Sequence, residues 1–169
     1  MRQVLLVTGG SRGIGAATAR LGAARGYAVC INYRQNEAAA DALVGEITRA
    51  GGEAVAVAGD VGSEPDVMRL FAELDRALGP ITALVNNAGI LERQLRVEHM
   101  DAERLNRVLT TNVIGSFLCS REAIRRMSIR HGGQGGAIVN VSSAASRLGS
   151  PNEYVDYAAA KGAIDTGGR

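Results

Sequence analysis

The stretch TGGSRGIG, residues 8–15, decides the fold, because it stands between a short apolar run and an Ala-rich segment with helical spacing. The run before it, QVLLV at 3–7, is typical of a buried strand. Glycines at positions 9, 13 and 15 permit a tight turn, close approach of a pyrophosphate to the backbone, and close packing of helix on strand. The free N–H groups of a helix start favour such an anion. The stretch therefore predicts a dinucleotide-binding loop.

Short apolar runs alternate with helical segments along the rest of the chain. Strands are predicted at 3–7, 28–32, 53–58, 81–85 and 137–141. Helices are predicted from 16 to about 25, at 37–50, from 63 to 78, at 101–130 with a break near Asn112, and from near Glu153 onward. The apolar runs are continuous, as expected for strands covered by helices on both faces. The predicted fold class is α/β, a doubly wound parallel sheet or Rossmann fold, in a single domain over residues 1–169.

Length and composition exclude several classes of protein. Of 169 residues, 46% are hydrophobic and 21% charged, which is the balance of a soluble globular domain. The net charge is only +2 without a basic run, and aromatic residues make up 4% with no Trp, so no nucleic-acid partner is expected. The sequence shows neither a run of about 18 apolar residues nor a secretory signal. We therefore expect a cytoplasmic protein without a membrane partner.

The two cysteines and two histidines carry no recognisable motif. Cys30 and Cys119 lie in apolar surroundings far apart in sequence, which favours buried, reduced thiols. His99 and His131 have no ligand-like neighbours at metal-binding spacing, so we expect loop or surface positions for both. No metal site is predicted.

The end of the second strand indicates which dinucleotide is bound. A site selective for NAD places an acidic residue there, about 20 residues after the glycine loop, to bind the ribose 2′-hydroxyl. Here Asn32, Tyr33 and Arg34 occupy that region, and the first carboxylate is Glu37. The Arg34 guanidinium suits a 2′-phosphate, and Arg12 in the glycine loop could bind the same group. The sequence therefore favours NADP(H) over NAD(H), with two solvated arginines as the alternative.

An ordered set of motifs covers almost the whole chain. The motifs are TGGSRGIG at 8–15, Asp60-Val61, NNAG at 86–89, Asn112, NVSS at 140–143, and Tyr157 with Lys161. With this set of motifs the chain resembles the short-chain dehydrogenases/reductases. In overall character the chain is similar to bacterial members of the 3-oxoacyl-carrier-protein-reductase-like and sugar-dehydrogenase-like kinds.

The resemblance implies a set of cofactor-binding residues. They are Gly9, Ser11, Arg12, Gly13, Ile14, Gly15, Arg34, Asp60, Val61, Asn86, Ala88, Gly89, Tyr157 and Lys161. In such a site Asp60 would accept a hydrogen bond from the adenine amino group, with the Val61 backbone beside it. The turn at 86–89 would border the riboses or stabilise the sheet.

Tyr157 and Lys161 are the implied proton-transfer pair. They are four residues apart and so lie on one face of a helix. A nearby ammonium group stabilises a phenolate, which makes Tyr157 a credible general acid for carbonyl reduction and a general base for alcohol oxidation. The resemblance gives Lys161 a second role, binding the nicotinamide ribose. Tyr154 lacks such a partner, because Ala158 stands four residues after it.

The same resemblance implies a serine and an asparagine in the catalytic set. Alignment of the strand end IVNVSS points to Ser143 as the group that holds the substrate oxygen, with Ser142 as the alternative. The spacing from Ser143 to Tyr157 is one residue longer than is common, which requires a small insertion around SPNEYV. Asn112 would interrupt its helix and hold a water that relays protons through Lys161; a mid-helix Asn is otherwise unfavourable.

The sequence leaves two hypotheses for the function of the chain, an enzyme and a binding protein. The first is an NADP(H)-dependent oxidoreductase that transfers a hydride between nicotinamide and a small carbonyl or secondary-alcohol substrate. The second is a dinucleotide-binding fragment or pseudoenzyme without turnover. The resemblance further suggests a homo-oligomer, either tetramer or dimer, formed through the helix at 104–130 and the Tyr157 helix.

Members of this family are usually longer than this chain, with two further strands and a substrate loop after the Tyr157 helix. We therefore expect the substrate-loop region to be missing or omitted, with a seam at 166/167 where the helical pattern meets TGGR. A truncated chain is the alternative, and in that case the fifth strand would be an unpaired edge.

Overall fold

The computed structural model describes residues 2–167 and shows one parallel sheet with helices on both faces. The strands are β1 (Val4–Val7), β2 (Ala28–Tyr33), β3 (Glu53–Ala58), β4 (Ala83–Asn86) and β5 (Ala137–Asn140). The helices are α1 (Gly13–Ala24), α2 (Glu37–Arg49), α3 (Glu64–Leu78), α4 (Ala102–Leu109), α5 (Gly115–Met127), α6 (Ala145–Leu148) and α7 (Val155–Gly167). The α/β prediction, a doubly wound Rossmann fold, is confirmed.

The sheet has the order β3-β2-β1-β4-β5, and every neighbouring pair is parallel. The chain moves outward from β1 in one direction to β3, then returns to the other side of β1 with β4. The order therefore reverses between β1 and β4. In open α/β sheets ligands bind outside the carboxyl ends of the strands at such a reversal. The loops that follow β1 and β4 flank this position.

Two hydrophobic cores cover the two faces of the sheet. One contains Phe71 and Leu74 of α3 together with Cys119 of α5, and the other contains Ala19 of α1 and Leu43 of α2. All residues of β1 and β2 are buried, which explains their continuous apolar sequences. Burial raises the pKa of the Cys119 thiol to about 12, so this cysteine is held as a neutral core residue.

The helix predicted at 101–130 with a break near Asn112 consists of three elements. The segment α4 ends at Leu109, a π-helical turn occupies Thr110–Ile114, and α5 follows from Gly115. The predicted interruption near Asn112 is thus present as a π turn, in which the Gly115 N–H donates to the Thr110 carbonyl. Short 3₁₀ turns at Val97–His99 and Ile129–His131 flank the unit.

The last helix begins two residues later than predicted and includes Gly167, which lies beyond the predicted seam. It starts at Val155 because residues 150–153 form a turn, in which Ser150 and Asn152 have positive φ angles of 47° and 64°. The helix is continuous across the predicted seam at 166/167 as far as Gly167. The remaining residues of that prediction, Gly168 and Arg169, lie outside the described residues.

Neither a membrane-spanning helix nor a metal-binding cluster is found within residues 2–167. Among residues 2–167, none of the helices is long and apolar enough to cross a membrane. No cluster of three or more His, Cys, Asp or Glu side chains in this part of the chain could hold a metal ion.

Candidate functional site

A cleft of about 660 Å³ opens where the sheet order reverses, a volume within the range of small-molecule sites. It is bounded by the loops after β1, β2, β3 and β4 and by the π turn. Its predicted lining residues are Gly9, Ser11, Arg12, Gly13, Ile14, Arg34, Asp60, Val61, Ala88 and Gly89. Asn32, Tyr33, Gln35, Asn36, Gly59, Asn87, Ile90 and Thr111 line it as well.

The glycine loop excludes side chains on its inner side. A Cβ on Gly9, whose φ is +59°, would lie 2.9 Å from the Ala88 Cα atom. A Cβ on Gly15 would lie 2.5 Å from Asn87 Nδ2 and 2.6 Å from the Gly9 carbonyl oxygen. Gly13, with φ +56°, has nothing within 4 Å of a built Cβ, so its side opens toward the cleft. The lack of side chains at Gly9 and Gly15 lets the glycine loop pack against the turn after β4. The open side of Gly13 leaves the start of α1 accessible from the cleft.

Thr8 and Asn87 join the two loops that flank the cleft. Both belong to motifs quoted in the sequence analysis, which assigned a role to neither of them. Thr8 Oγ1 accepts hydrogen bonds from the N–H groups of Asn87 and Ala88, at 3.0 Å each. Asn87 Nδ2 donates to the carbonyls of Thr8 at 2.9 Å and Gly9 at 3.0 Å. The signal that could have revealed them is their place as polar residues directly after two buried strands.

Asn32 is a third residue to which the sequence analysis assigned no role. Its Oδ1 accepts from the Gly9 N–H at 3.3 Å, and its Nδ2 donates to the Gly59 carbonyl at 3.0 Å. The side chain is buried, so it fixes the glycine loop to the end of β3. A polar residue inside an otherwise apolar strand was the available signal.

Arg34 and Asp60 stand at the rim of the cleft and contact each other. Arg34 Nε lies 3.0 Å from Asp60 Oδ2, and the arginine side chain is 59% exposed. Asp60 Oδ1 accepts from the Gly62 N–H at 2.9 Å, while the Asp60 N–H donates to Asp66. Arg12 is exposed on the glycine loop that lines the same cleft. The two arginines therefore offer guanidinium groups to an anion bound there.

Asn112 lies buried in the π turn and holds the segment after β4. Its Oδ1 accepts from the Ile90 N–H at 2.7 Å, and its Nδ2 donates to the Ile90 carbonyl at 2.9 Å. The Asn112 carbonyl accepts from Ser116 Oγ at 3.2 Å. The side chain thus pairs with one backbone unit of the cleft wall, and the π turn provides the geometry for it.

Asn86 does not line the cleft. Its Nδ2 donates to Asn140 Oδ1 at 2.9 Å and to Ser120 Oγ at 3.0 Å, which links β4 with β5 and α5. The Asn86 Oδ1 atom has no hydrogen-bond partner within residues 2–167. Gly15 is likewise absent from the lining, because it is buried beneath the loop. These two residues support the cleft from below.

Tyr157 and Lys161 lie on α7 as a neighbouring pair outside the cleft lining. Lys161 Nζ is 5.6 Å from the centre of the Tyr157 ring and donates to the Val141 carbonyl at 2.6 Å. Burial lowers the pKa of the Lys161 ammonium group, and the nearby Asp165 carboxylate opposes that shift. Tyr157 is half-buried. The structure therefore places a cation beside a partly accessible phenol.

The two candidate serines lie between β5 and α6 and have different partners. Ser142 Oγ donates to the Lys161 carbonyl at 3.4 Å, so it is directed at the backbone of α7. Ser143 Oγ accepts from the Ala145 N–H at 3.2 Å. Within residues 2–167 the Ser143 hydroxyl has no acceptor of its own, so its hydrogen is available to a substrate oxygen.

The lowered pKa of Lys161 predicts how the free energy of unfolding changes with pH. The pKa of an unfolded lysine stays near 10.5, whereas burial lowers it in the folded chain. Between these values the unfolded chain binds more protons, so the free energy of unfolding should rise with pH. Each pKa unit corresponds to about 1.4 kcal/mol. Urea denaturation of the wild type and Lys161→Met at neutral and alkaline pH measures this, and an identical pH dependence of the two would contradict it.

Comparison with known proteins agrees with this geometry. The family model described as short chain dehydrogenase matches residues 3–166. The uncharacterized oxidoreductase YgfF of Escherichia coli (strain K12) is 60% identical over 163 residues, which cover 96% of this chain and 66% of that protein. A 3-oxoacyl-(acyl-carrier-protein) reductase of Synechocystis sp. (strain ATCC 27184 / PCC 6803 / Kazusa) is 41% identical over 162 residues, covering 96% and 64%.

The fold is also similar to that of a solved structure. A dehydrogenase/reductase from Sinorhizobium meliloti 1021 has a TM-score of 0.90 at 34% identity, and the match covers 97% of this chain and 63% of that one. The chain thus spans slightly less than two thirds of the length of the relatives it matches.

Proposed function

The chain belongs to the short-chain dehydrogenase family, and from that premise we propose that it is part of an NADP(H)-dependent oxidoreductase. The proposed substrate is a small carbonyl compound or the corresponding secondary alcohol. One observation carries the proposal: the half-buried Tyr157 phenol lies beside the buried Lys161 ammonium group on one helix. A phenol with a cation close to it can act as a general acid or base on a carbonyl oxygen, because the cation stabilises the phenolate.

The residues of the cleft fit a nicotinamide dinucleotide. Gly13 lines the cleft and has nothing within 4 Å of a built Cβ, so the loop leaves room there for a pyrophosphate to approach the backbone. The start of α1 directs free N–H groups toward a pyrophosphate, since helix N-termini favour anions. Ser11, Arg12, Gly13 and Ile14 would hold the phosphates, and Asp60 with Val61 the adenine.

A nicotinamide cofactor held by these residues would supply or accept the hydride of the proposed reaction. Tyr157 donates the proton to the substrate oxygen during reduction and removes it during oxidation. Lys161 stabilises the phenolate form through its charge and binds a ribose hydroxyl. Ser143 donates its hydroxyl hydrogen to the same substrate oxygen and so fixes its position. Asn112 holds the wall of the cleft through Ile90. In the proposed relay, a water held by Asn112 would pass protons through Lys161.

An activity screen tests the proposal. The protein is mixed with NADPH or NADH and a panel of ketones, sugars and acyl thioesters, and the loss of cofactor absorbance is followed. We expect turnover with at least one carbonyl compound. The alternative is a dinucleotide-binding pseudoenzyme; it would bind NADPH in a fluorescence titration without oxidising it on any member of the panel.

Arg34 is the proposed determinant of cofactor preference. Its guanidinium stands at the cleft rim with 59% of its side chain exposed. Arg34→Asp should weaken NADPH binding by at least tenfold, because a charge-assisted contact is replaced by repulsion of the 2′-phosphate, a change of about 1.4 kcal/mol or more. NADH binding should improve, because a carboxylate accepts from the 2′-hydroxyl. Fluorescence titration with both cofactors measures the preference, and an unchanged ratio would refute this assignment.

Arg25→Asp is the matched control for the Arg34 experiment. Arg25 is an exposed arginine at the end of α1, outside the lining of the cleft, so it tests the general effect of the charge change. The ratio of NADPH to NADH affinity should stay at the wild-type value in this variant.

We further propose a cytoplasmic homo-oligomer, either a tetramer or a dimer. Exposed apolar side chains along α4 and α5, among them Leu105, Leu109, Phe117 and Ile124, support an interface between copies of the chain. The mass of the assembly in solution, by sedimentation, checks the oligomeric state.

A further inference from the structure

We propose that Arg104 and Asp156 are positioning residues of the active site, whose buried ion pair fixes the first turn of α7 and thereby Tyr157. The inference rests on the proposed function, in which Tyr157 transfers the proton. It concerns two residues that lie outside the set of binding and catalytic residues described above.

The pair is bidentate and fully enclosed. Arg104 Nε lies 2.7 Å from Asp156 Oδ2, and Arg104 Nη2 lies 3.3 Å from Asp156 Oδ1. The side chains are 5% and 1% exposed. Among the ion pairs of residues 2–167, it is the only one in which both partners are buried.

Stability alone does not account for such a pair. Removing two charges from water carries a desolvation penalty that the attraction between them only partly offsets, and apolar residues of similar volume are often as stable. A guanidinium paired through two parallel N–H groups instead fixes both distance and angle. The geometry points to orientation as the role of the pair.

The Asp156 carboxylate also holds the backbone of Tyr157. Asp156 Oδ1 accepts from the Tyr157 N–H at 2.9 Å as well as from Arg104 Nη2. The same oxygen therefore connects the arginine with the residue that carries the phenol. A shift of the carboxylate would move the Tyr157 backbone with it.

Arg104 extends this connection to the wall of the cleft. Its Nη1 donates to the Arg93 carbonyl at 2.7 Å, in the irregular segment that follows β4. A second bond joins the same segment to the turn before α7, since the Leu95 N–H donates to the Glu153 carbonyl at 2.9 Å. Three separate pieces of chain, namely α4, the segment after β4 and the start of α7, are thus held at one point.

A displacement of this turn should affect proton transfer much more than cofactor binding, because the groups proposed to hold the phosphates and the adenine lie on other elements. Misplacement of a reacting group by about 1 Å can cost on the order of 100-fold in rate. The glycine loop and Arg34 belong to the opposite part of the sheet, after β1 and β2, and do not contact the pair. Loss of the pair should therefore lower kcat much more than the NADPH affinity.

The decisive variant is Arg104→Met/Asp156→Leu, which removes both charges and retains apolar volume, so no unpaired charge is buried. We expect a Tm close to that of the wild type and a kcat lower by about 10- to 100-fold. NADPH affinity and substrate KM should stay within about twofold of the wild type, and the solvent deuterium isotope effect on kcat should rise, because a misplaced phenol makes proton transfer slower. Asp156→Asn, which keeps the shape of the side chain, serves if the double variant does not fold.

Arg107→Gln is the matched control. Arg107 also lies on α4 and also contacts the segment after β4, through Glu92 at 3.0 Å, but it is exposed and does not touch α7. Its kcat and isotope effect should equal those of the wild type.

The outcomes separate the two proposals. Wild-type protein that binds NADPH but turns over nothing in the carbonyl panel overturns the proposed function, and this inference with it. Turnover by the wild type, together with a wild-type kcat in the double variant, overturns the inference alone. A fall in kcat that only follows a loss of folded protein, with an unchanged isotope effect, shows that the pair is purely structural and also overturns it.

Discussion

Replacing Tyr157 by Phe should lower kcat by about 10²- to 10⁴-fold, which is the usual contribution of a positioned general acid or base. The substitution removes one hydroxyl group and keeps the ring that lies 5.6 Å from Lys161 Nζ. The fold and the glycine loop should therefore be unaffected. NADPH affinity, measured by fluorescence titration, should stay within about twofold of the wild type, because the loop that holds the phosphates lies on other elements.

Tyr154→Phe is the matched control for this experiment. Tyr154 lies three residues earlier, in the turn before α7, and Ala158 stands where a lysine would have to be. Its kcat should remain at the wild-type value. Retention of full turnover in Tyr157→Phe, or equal losses in both variants, would show that the proton comes from another group.

Replacing Gly15 by Val should abolish NADPH binding and lower the free energy of unfolding by about 1–3 kcal/mol. Even the Cβ would lie 2.5 Å from Asn87 Nδ2 and 2.6 Å from the Gly9 carbonyl oxygen. Asn87 would then have to leave the carbonyls of Thr8 and Gly9, which it bonds at 2.9 and 3.0 Å. The loop would separate from the turn after β4, and the phosphate-binding backbone would lose its position.

Gly45→Ala is the control for this experiment, because it adds a side chain to a glycine outside the lining of the cleft. Gly45 lies in α2 with nothing within 4 Å of a built Cβ, and its helical backbone suits alanine. The variant should gain up to about 1 kcal/mol of stability and bind NADPH as the wild type does. Urea denaturation and fluorescence titration measure both quantities. Normal NADPH affinity in Gly15→Val would contradict the account of the glycine loop.

Local patterns in the sequence were sufficient to predict the sheet. All five strands overlap the predicted apolar runs. The strands β1 and β2 are buried throughout, and burial on both faces leaves such continuous apolar stretches.

Features that depend on distant contacts could not be predicted in this way. Asn32 bonds Gly9 and Gly59, which are more than 20 residues away on either side, and only the assembled sheet brings them together. The ion pair of Arg104 with Asp156 spans 52 positions. Nothing in the local sequence marks Arg104 or Asp156 for burial, because charged residues are almost never buried unless they are paired.

The π turn Thr110–Ile114 also rotates the side chains of α5 about the helix axis relative to those of α4. Val108 and Cys119 are 11 residues apart, about three turns of an α-helix, so an unbroken helix would direct both to the same side. The π turn accommodates an extra residue and rotates α5 relative to α4 by about 100°. Arg104 of α4 can therefore reach α7, while Cys119, Ala123 and Met127 of α5 pack in the core against α3. The rod formed by α4, the π turn and α5 thus contacts two surfaces. Its π turn sets the angle between the side that reaches α7 and the side that packs in the core beneath the sheet.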